Sequence, residues 1–515
     1  MTVRITMPAL ALIVSVLGCE PSDTAGIPQG SQVKPGKQGV PADASPAVKR
    51  LIEKTSSSVA EERASAAEEL RELGDEAHPA IVALIRLLDD ESKAGNRHTS
   101  PGREARATLK EIGKPAVPSL LAALPEATLE TKRIIVALLG ESGDPRVTDT
   151  LVTLLGDNDP LVRYKAVWAV NHMEIRTPKA VRSLIRLLQD DRASVVRAAC
   201  EALGEAKDRS AVGPLLATLN DTKQDESARS SAANALGQIA DHRAFDSLLE
   251  VATNTEYESG LRGSAARGLG LIKDPRALPV LQAMLEESDR ELRQWAVWAL
   301  GPISQPSARD TLLAIMNNDS EESALRRAAI RSLICYESPR VIDALIAVFE
   351  NERDHVWVWR PALDWLALSS NPRAYSRAID ALADPDAEVR REAARVFLEA
   401  KTSQDAGVLG VNAEDMARIL PAHKDPRIRD ALIAVINRPG EDEYTRWLAA
   451  KALVKTGDPR AKKLLQQLEG VKCSPKSAPV YYESHWGHHW CYGPATFAGT
   501  TVALRLARRG GDSSK

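Results

Sequence analysis

One phrase recurs four times between residues 199 and 301, and it constrains the fold more than any other feature of the chain. It reads Ala199-Cys200-Glu201-Ala202-Leu203-Gly204, then Ala232-Ala233-Asn234-Ala235-Leu236-Gly237. It returns as Ala265-Ala266-Arg267-Gly268-Leu269-Gly270 and as Ala296-Val297-Trp298-Ala299-Leu300-Gly301. The closing glycines are 33, 33 and 31 residues apart. A fixed period of this length marks a solenoid, in which each unit buries its apolar face only against its neighbours.

From residue 48 to about 470 the chain reads as pairs of short amphipathic helices. Asp159-Pro160-Leu161-Val162-Arg163 starts one, with proline in the first turn where its missing N–H costs nothing. Val162, Ala166, Ala169 and Val170 then form a one-sided apolar stripe. After a turn, a second helix runs through Val181, Leu184, Leu187 and Leu188. The turns repeat too, as Gly143-Asp144-Pro145-Arg146, Lys273-Asp274-Pro275-Arg276 and Gly457-Asp458-Pro459-Arg460. Hydrophobic content of 44% and charge of 27% are those of a chain that is mostly folded. A net charge of −3 carries no electrostatic footprint for nucleic acid, and none is expected as a partner.

These repeats resemble HEAT repeats, in particular the short HEAT-like class associated with phycobilisome lyases. The resemblance covers about Pro46 to Glu469 and implies an all-α, right-handed α-solenoid of about 11–12 two-helix units. It implies first helices on the convex face and second helices on the concave face. With the phrase helix taken as first, its register weakens at 91–101 and again at Lys401–Asn412, an insertion between the helices of a late unit.

Two columns run through this register. Five residues before the variable position of the phrase lie Arg163, Arg229, Arg262, Arg293, Arg326, Arg390 and Arg446. They read as a structural Asp/Arg ladder tying adjacent units, with turn aspartates such as Asp144, Asp274 and Asp458 as partners. The variable position itself is mostly polar: Ala137, Trp168, Glu201, Asn234, Arg267, Trp298, Arg331, Asp364, Arg395 and Lys451. Trp168 and Trp298 break that character. An exposed tryptophan buries a large area with few rotamers to freeze, so both are candidate partner anchors, against the simpler reading that each ring packs in a groove between units. Trp295, Trp357 and Trp359 complete the candidate surface, with His355 before them and Trp365 read as core.

The termini are separate. Residues 1–18 carry Arg4 and an apolar run ending Val16-Leu17-Gly18-Cys19, which resembles a bacterial lipoprotein signal with its lipobox. Gly18 and Cys19 match that pattern, whereas Val16 and Leu17 depart from it. The resemblance implies lipidation at Cys19, export from the cytoplasm and a membrane anchor at the cell envelope. Residues 19–47, rich in Pro, Gly, Ser and Gln, read as a disordered tether.

Residues 471–515 leave the repeat pattern. Cys473 and Cys491 flank His485, His488 and His489, and three readings stay open. They are a disulfide between the two cysteines, a metal site of imidazole and thiolate donors, or neither. Pro494–Arg508 reads as a last helix.

No G-x-S-x-G, P-loop, H-E-x-x-H or Rossmann fingerprint is present. Deoxyhypusine hydroxylase, built on similar repeats, holds iron through His-Glu pairs just before this phrase. The matching positions here are Arg197-Ala198, Ser230-Ser231, Gly263-Ser264 and Gln294-Trp295, and the chain has no His-Glu dipeptide. Bilin lyase activity conflicts with an export signal. The reading is a non-enzymatic scaffold without a cofactor that binds a protein or peptide; the alternative is a metal- or redox-active protein using the C-terminal His/Cys group.

Overall fold

The computed structural model describes residues 41, 44–92, 99–336, 338–352, 355–369, 371–399 and 425–468. Among them are helices joined by short turns and 3-10 segments, and the chain divides into two compact blocks after Ala206. The first block holds α1 (Pro46–Lys54), α2 (Ala60–Glu72), α3 (Ile81–Arg86), α4 (Pro101–Ile112) and α5 (Val117–Ala123). It continues with α6 (Leu129–Glu141), α7 (Thr148–Leu154), α8 (Pro160–His172), α9 (Pro178–Leu187) and α10 (Ala193–Ala206). The second block holds α11 (Val212–Asn220), α12 (Glu226–Ile239), α13 (Phe245–Thr253), α14 (Ser259–Ile272) and α15 (Leu278–Leu285). There follow α16 (Arg290–Ile303), α17 (Pro306–Met316), α18 (Ser323–Ser332), α19 (Pro339–Asn351) and α20 (Val356–Leu368). The described residues end with α21 (Pro372–Asp380), α22 (Ala387–Glu399), α23 (Pro426–Asn437), α24 (Glu443–Lys455) and α25 (Ala461–Leu468). None of these helices is long and apolar enough to cross a membrane.

The phrase lies on the even-numbered helices. Its leucines Leu203, Leu236, Leu269 and Leu300 are fully buried; each removes about 1.5–3 kcal/mol of apolar surface from water. The pairing corrects the register read from the sequence. In the middle of the array each phrase helix packs mainly along the helix before it, α11 on α12, α13 on α14 and α15 on α16, with only α16 also meeting the helix that follows, α17, less extensively. The phrase helix is therefore the second member of its pair.

Within each block the even helices also pack far more extensively on one another than the odd helices do. Small residues make this possible. A Cβ on Gly237 would fall 2.5 Å from Gly268 Cα, and one on Gly270 would fall 2.4 Å from the Ala299 carbonyl oxygen. The even helices therefore form the more tightly packed, inner layer of each block.

The phrase helices α6, α8, α10, α12, α14 and α16 each end in a left-handed residue, at Gly143, Glu174, Lys207, Ala240, Lys273 and Ser304. The next residue is often an aspartate whose carboxylate accepts the N–H two positions on, as Asp144 does from Arg146 (2.9 Å) and Asp241 from Arg243 (3.0 Å). The same arginine closes a clasp on that aspartate, 2.6 Å in the first case and 2.7 Å between Arg276 and Asp274. These aspartates are thus held inside their own turns and are not the partners of the arginine column.

The ladder exists with other partners. Arg262 Nε donates to the Ala252 carbonyl at the end of the preceding helix, and its fork holds Glu287 at 3.0 and 2.6 Å. Arg163 binds Asp190, Arg293 binds Glu321 and Arg326 binds Glu352, each from the loop entering the next even helix. Arg390 makes the same contact with Glu441, 51 residues on where the others span 25 to 28. α24 thus packs beside α22, and with the phrase helix second in its pair the insertion expected between the helices of one unit falls between two units.

Candidate functional site

On the even helices, the variable position of the phrase and the residues three and four before it share one face. All the variable side chains are exposed or half-exposed except Ala137, which is buried. This face is the solvent side of the inner layer.

Trp168 is on α8 in the first block. It is 38% exposed, its indole stacks on His172 at 5.0 Å, and its Cζ3 lies 3.3 Å from where a Cβ on Gly140 would stand. The other candidates belong to the second block. Trp298 on α16 is also 38% exposed and meets the half-buried Trp295 edge to face, with centroids 5.1 Å apart at 90°. Trp295 is seated on the neighbouring helix, because Gly263 of α14 leaves room for its ring: a Cβ there would fall 2.2 Å from Trp295 Cδ1. Its Nε1 points at Glu291 Oε1, 3.4 Å away. Trp357, in the first turn of α20, is 40% exposed, with the Arg327 guanidinium 5.7 Å from its ring centre. Trp295, Trp298, Arg327 and Trp357 are thus carried by the consecutive inner helices α16, α18 and α20.

Trp359 does not belong to this surface. It is 2% exposed and packs edge-on against Phe349 at 6.1 Å. It lies five residues before Asp364, so it fills in this repeat the buried slot that arginine takes elsewhere, and two residues along a helix turn it away from Trp357. Trp365 is core, as read from the sequence.

The sequence reading passed over two features of the same face. Trp447, four residues before Lys451, stacks on Tyr444 at 5.9 Å and carries the Lys451 ammonium 3.8 Å above its ring. Arg395 binds Asp364 at 3.0 Å and Arg360 binds Glu392 at 2.7 Å, linking α20 to α22 across the inner layer. Burial raises the Asp364 carboxyl above its usual range, with Arg395 and Arg360 opposing that effect. The i to i+4 spacing of Trp447 and Lys451 was the available signal for the first; the second joins side chains about one repeat apart.

Among the described residues no group of three His, Cys, Asp or Glu side chains is placed to hold a metal ion. Cys200 is buried, and burial pushes its thiol up to about 12, so it remains protonated. Cys19, Cys473, Cys491, His485, His488 and His489 lie outside the described residues.

A family model for HEAT repeats matches residues 117–203, 197–259 and 256–334. No curated protein matches the chain in sequence. Among solved structures, human deoxyhypusine hydroxylase in complex with glycerol is similar at 18% identity over 49% of this chain and 95% of its own, with a TM-score of 0.24. Importin β from a polyethylene glycol condition is similar at 13% identity over 82% of this chain and 72% of its own, with a TM-score of 0.49. Yeast importin β (Kap95p) gives 11% identity over 82% and 69%, with a TM-score of 0.41.

Proposed function

We propose that this chain, whose residues 117–334 match HEAT repeats, is a non-enzymatic scaffold binding a protein or peptide along its inner helices. The observation that carries this reading is Trp298, 38% exposed in a column that is otherwise largely polar, with Trp295 at its edge. A large, nearly rigid apolar surface set among polar groups is the composition of an interface centre. The lack of any recognisable catalytic motif supports the non-enzymatic part.

The Gly18-Cys19 pair at the end of the apolar N-terminal run supports lipidation at Cys19 and a position at the cell envelope. The residues between Cys19 and the start of α1 at Pro46 would space the repeats from the membrane. Mass spectrometry of the N-terminal peptide tests this part; an unmodified chain starting at Met1 would overturn it.

For the scaffold itself, the test is a pull-down from envelope extract with the full chain and with Trp298→Ala. A partner captured by the native chain and lost from a variant with unchanged circular dichroism supports the reading. Equal capture by both removes Trp298 from the site.

A further inference from the structure

The buried arginine column has gaps, and inside each block the gaps fall where neighbouring inner helices touch least. A cation in this slot ties its own even helix to the loop entering the next. Arg63 binds Asp90 at 2.7 Å, Lys132 binds Asp157, and Arg163 binds Asp190 at 2.6 Å. Arg262, Arg293, Arg326 and Arg390 hold Glu287, Glu321, Glu352 and Glu441 in the same way. Arg229 reaches an aromatic ring instead, with its guanidinium 4.5 Å from the centre of Tyr257, in the loop before α14. At each of these slots the even helix packs extensively on the next one.

Among the described residues, two slots that face a neighbour in the same block lack the cation. Gly113 closes α4 with a positive φ as Gly143 closes α6, so Gly102 stands in α4 where Lys132 stands in α6. A Cβ on Gly102 would fall 2.9 Å from the Leu87 and Leu88 carbonyl oxygens, so the slot admits no side chain. α4 and α6 touch far less than α2 and α4 or α6 and α8 do. The Lys110–Glu141 pair joins them at 3.3 Å, but Lys110 is 62% exposed and such a pair holds little. The second slot holds Trp359 on α20, whose contact with α22 is also slight. There the Arg360–Glu392 and Arg395–Asp364 pairs tie the two helices face to face.

We infer that the first block is jointed between α4 and α6: α1–α4 moves as one body against α6–α10, because the slot at their interface is empty. Few apolar contacts and no buried ion pair put this interface at the low-stability end of the stack, and bending concentrates at the softest interface. At α20 and α22 the two inner ion pairs replace the missing cation and keep that interface closed. The joint belongs to the free chain and does not depend on any partner.

The test is pulsed electron paramagnetic resonance on the full chain, with spin labels carried by p-acetylphenylalanine so that the native cysteines stay in place. One pair, at the exposed positions Val82 on α3 and Arg182 on α9, spans three inner interfaces including α4–α6. The other, at the exposed Ala217 on α11 and Ala314 on α17, also spans three, each with its slot cation. The first distance distribution should be about twice as wide as the second. Arg293→Met, which empties the slot between α16 and α18, should widen the second distribution, and Arg293→Lys should leave it narrow, as Lys132 serves in α6. Equal widths in the native chain would overturn the inference, and so would an unchanged second distribution in Arg293→Met.

Discussion

The indole of Trp295 occupies the space in which a side chain on Gly263 would stand: a Cβ there would lie 2.2 Å from Trp295 Cδ1 and 2.6 Å from its Nε1. A glycine on one inner helix thereby fixes an aromatic ring on the next, and that ring supports Trp298 from the side. Gly263→Ala should displace Trp295, cost about 1–3 kcal/mol through overpacking and shift tryptophan emission. On the same helix a Cβ at Gly260 meets nothing within 4 Å. Gly260→Ala should leave emission unchanged and raise stability by about 0.5 kcal/mol through chain entropy. Urea melts followed by fluorescence compare the two.

The left-handed helix ends give a second prediction. Ala240 and Lys273 adopt φ of 55° and 62°, where glycine carries no penalty. Ala240→Gly and Lys273→Gly should each stabilise by about 1 kcal/mol, and Gly143→Ala, at φ 60°, should destabilise. Thermal melts of the three variants report the signs.

The ladder is strongest where it is driest. The side chains of Arg390 and Glu441 are 7% and 0% exposed, and the guanidinium also donates to the Asp384 and Pro385 carbonyls at 2.8 Å. Glu441→Ala leaves a buried cation without its anion, and should cost about 3–5 kcal/mol. Asp343→Ala removes an ion pair with Arg373 in which both side chains are more than half exposed, and should leave the melt unchanged.

The turn clasps predict an acid response. Hydrogen bonds from Arg146, Arg276 and Arg460 hold Asp144, Asp274 and Asp458 down to about 2. The unfolded value is about 3.9. Their ionised forms therefore favour the folded chain, fully above about pH 4, and that contribution is lost as pH falls toward about 2. A series of melting temperatures from pH 5 to pH 2.5 should fall more steeply for the native chain than for Asp274→Asn.

The period, the helices and the buried arginine column were legible because they repeat. The pairing was not. With short helices and similar turns on either side, nothing local tells whether the phrase helix packs back on its predecessor or on its successor; the packing of α11 on α12, α13 on α14 and α15 on α16 decides it. The partners of Arg262 and Arg390 were hidden for the same reason, since Glu287 and Glu441 lie in loops outside the phrase. Trp359 reads with Trp357 in the sequence, but its distance from Asp364 puts it in the arginine slot.

The central claim is that the inner face around Trp298 is where a partner sits. Photo-crosslinking from benzoylphenylalanine in place of Trp298, against the same group in place of the exposed Gln282 on the odd helix α15, tests it most directly. Adducts from position 298, absent from position 282, are the predicted result. Adducts from position 282 alone, or equally from both, would contradict it.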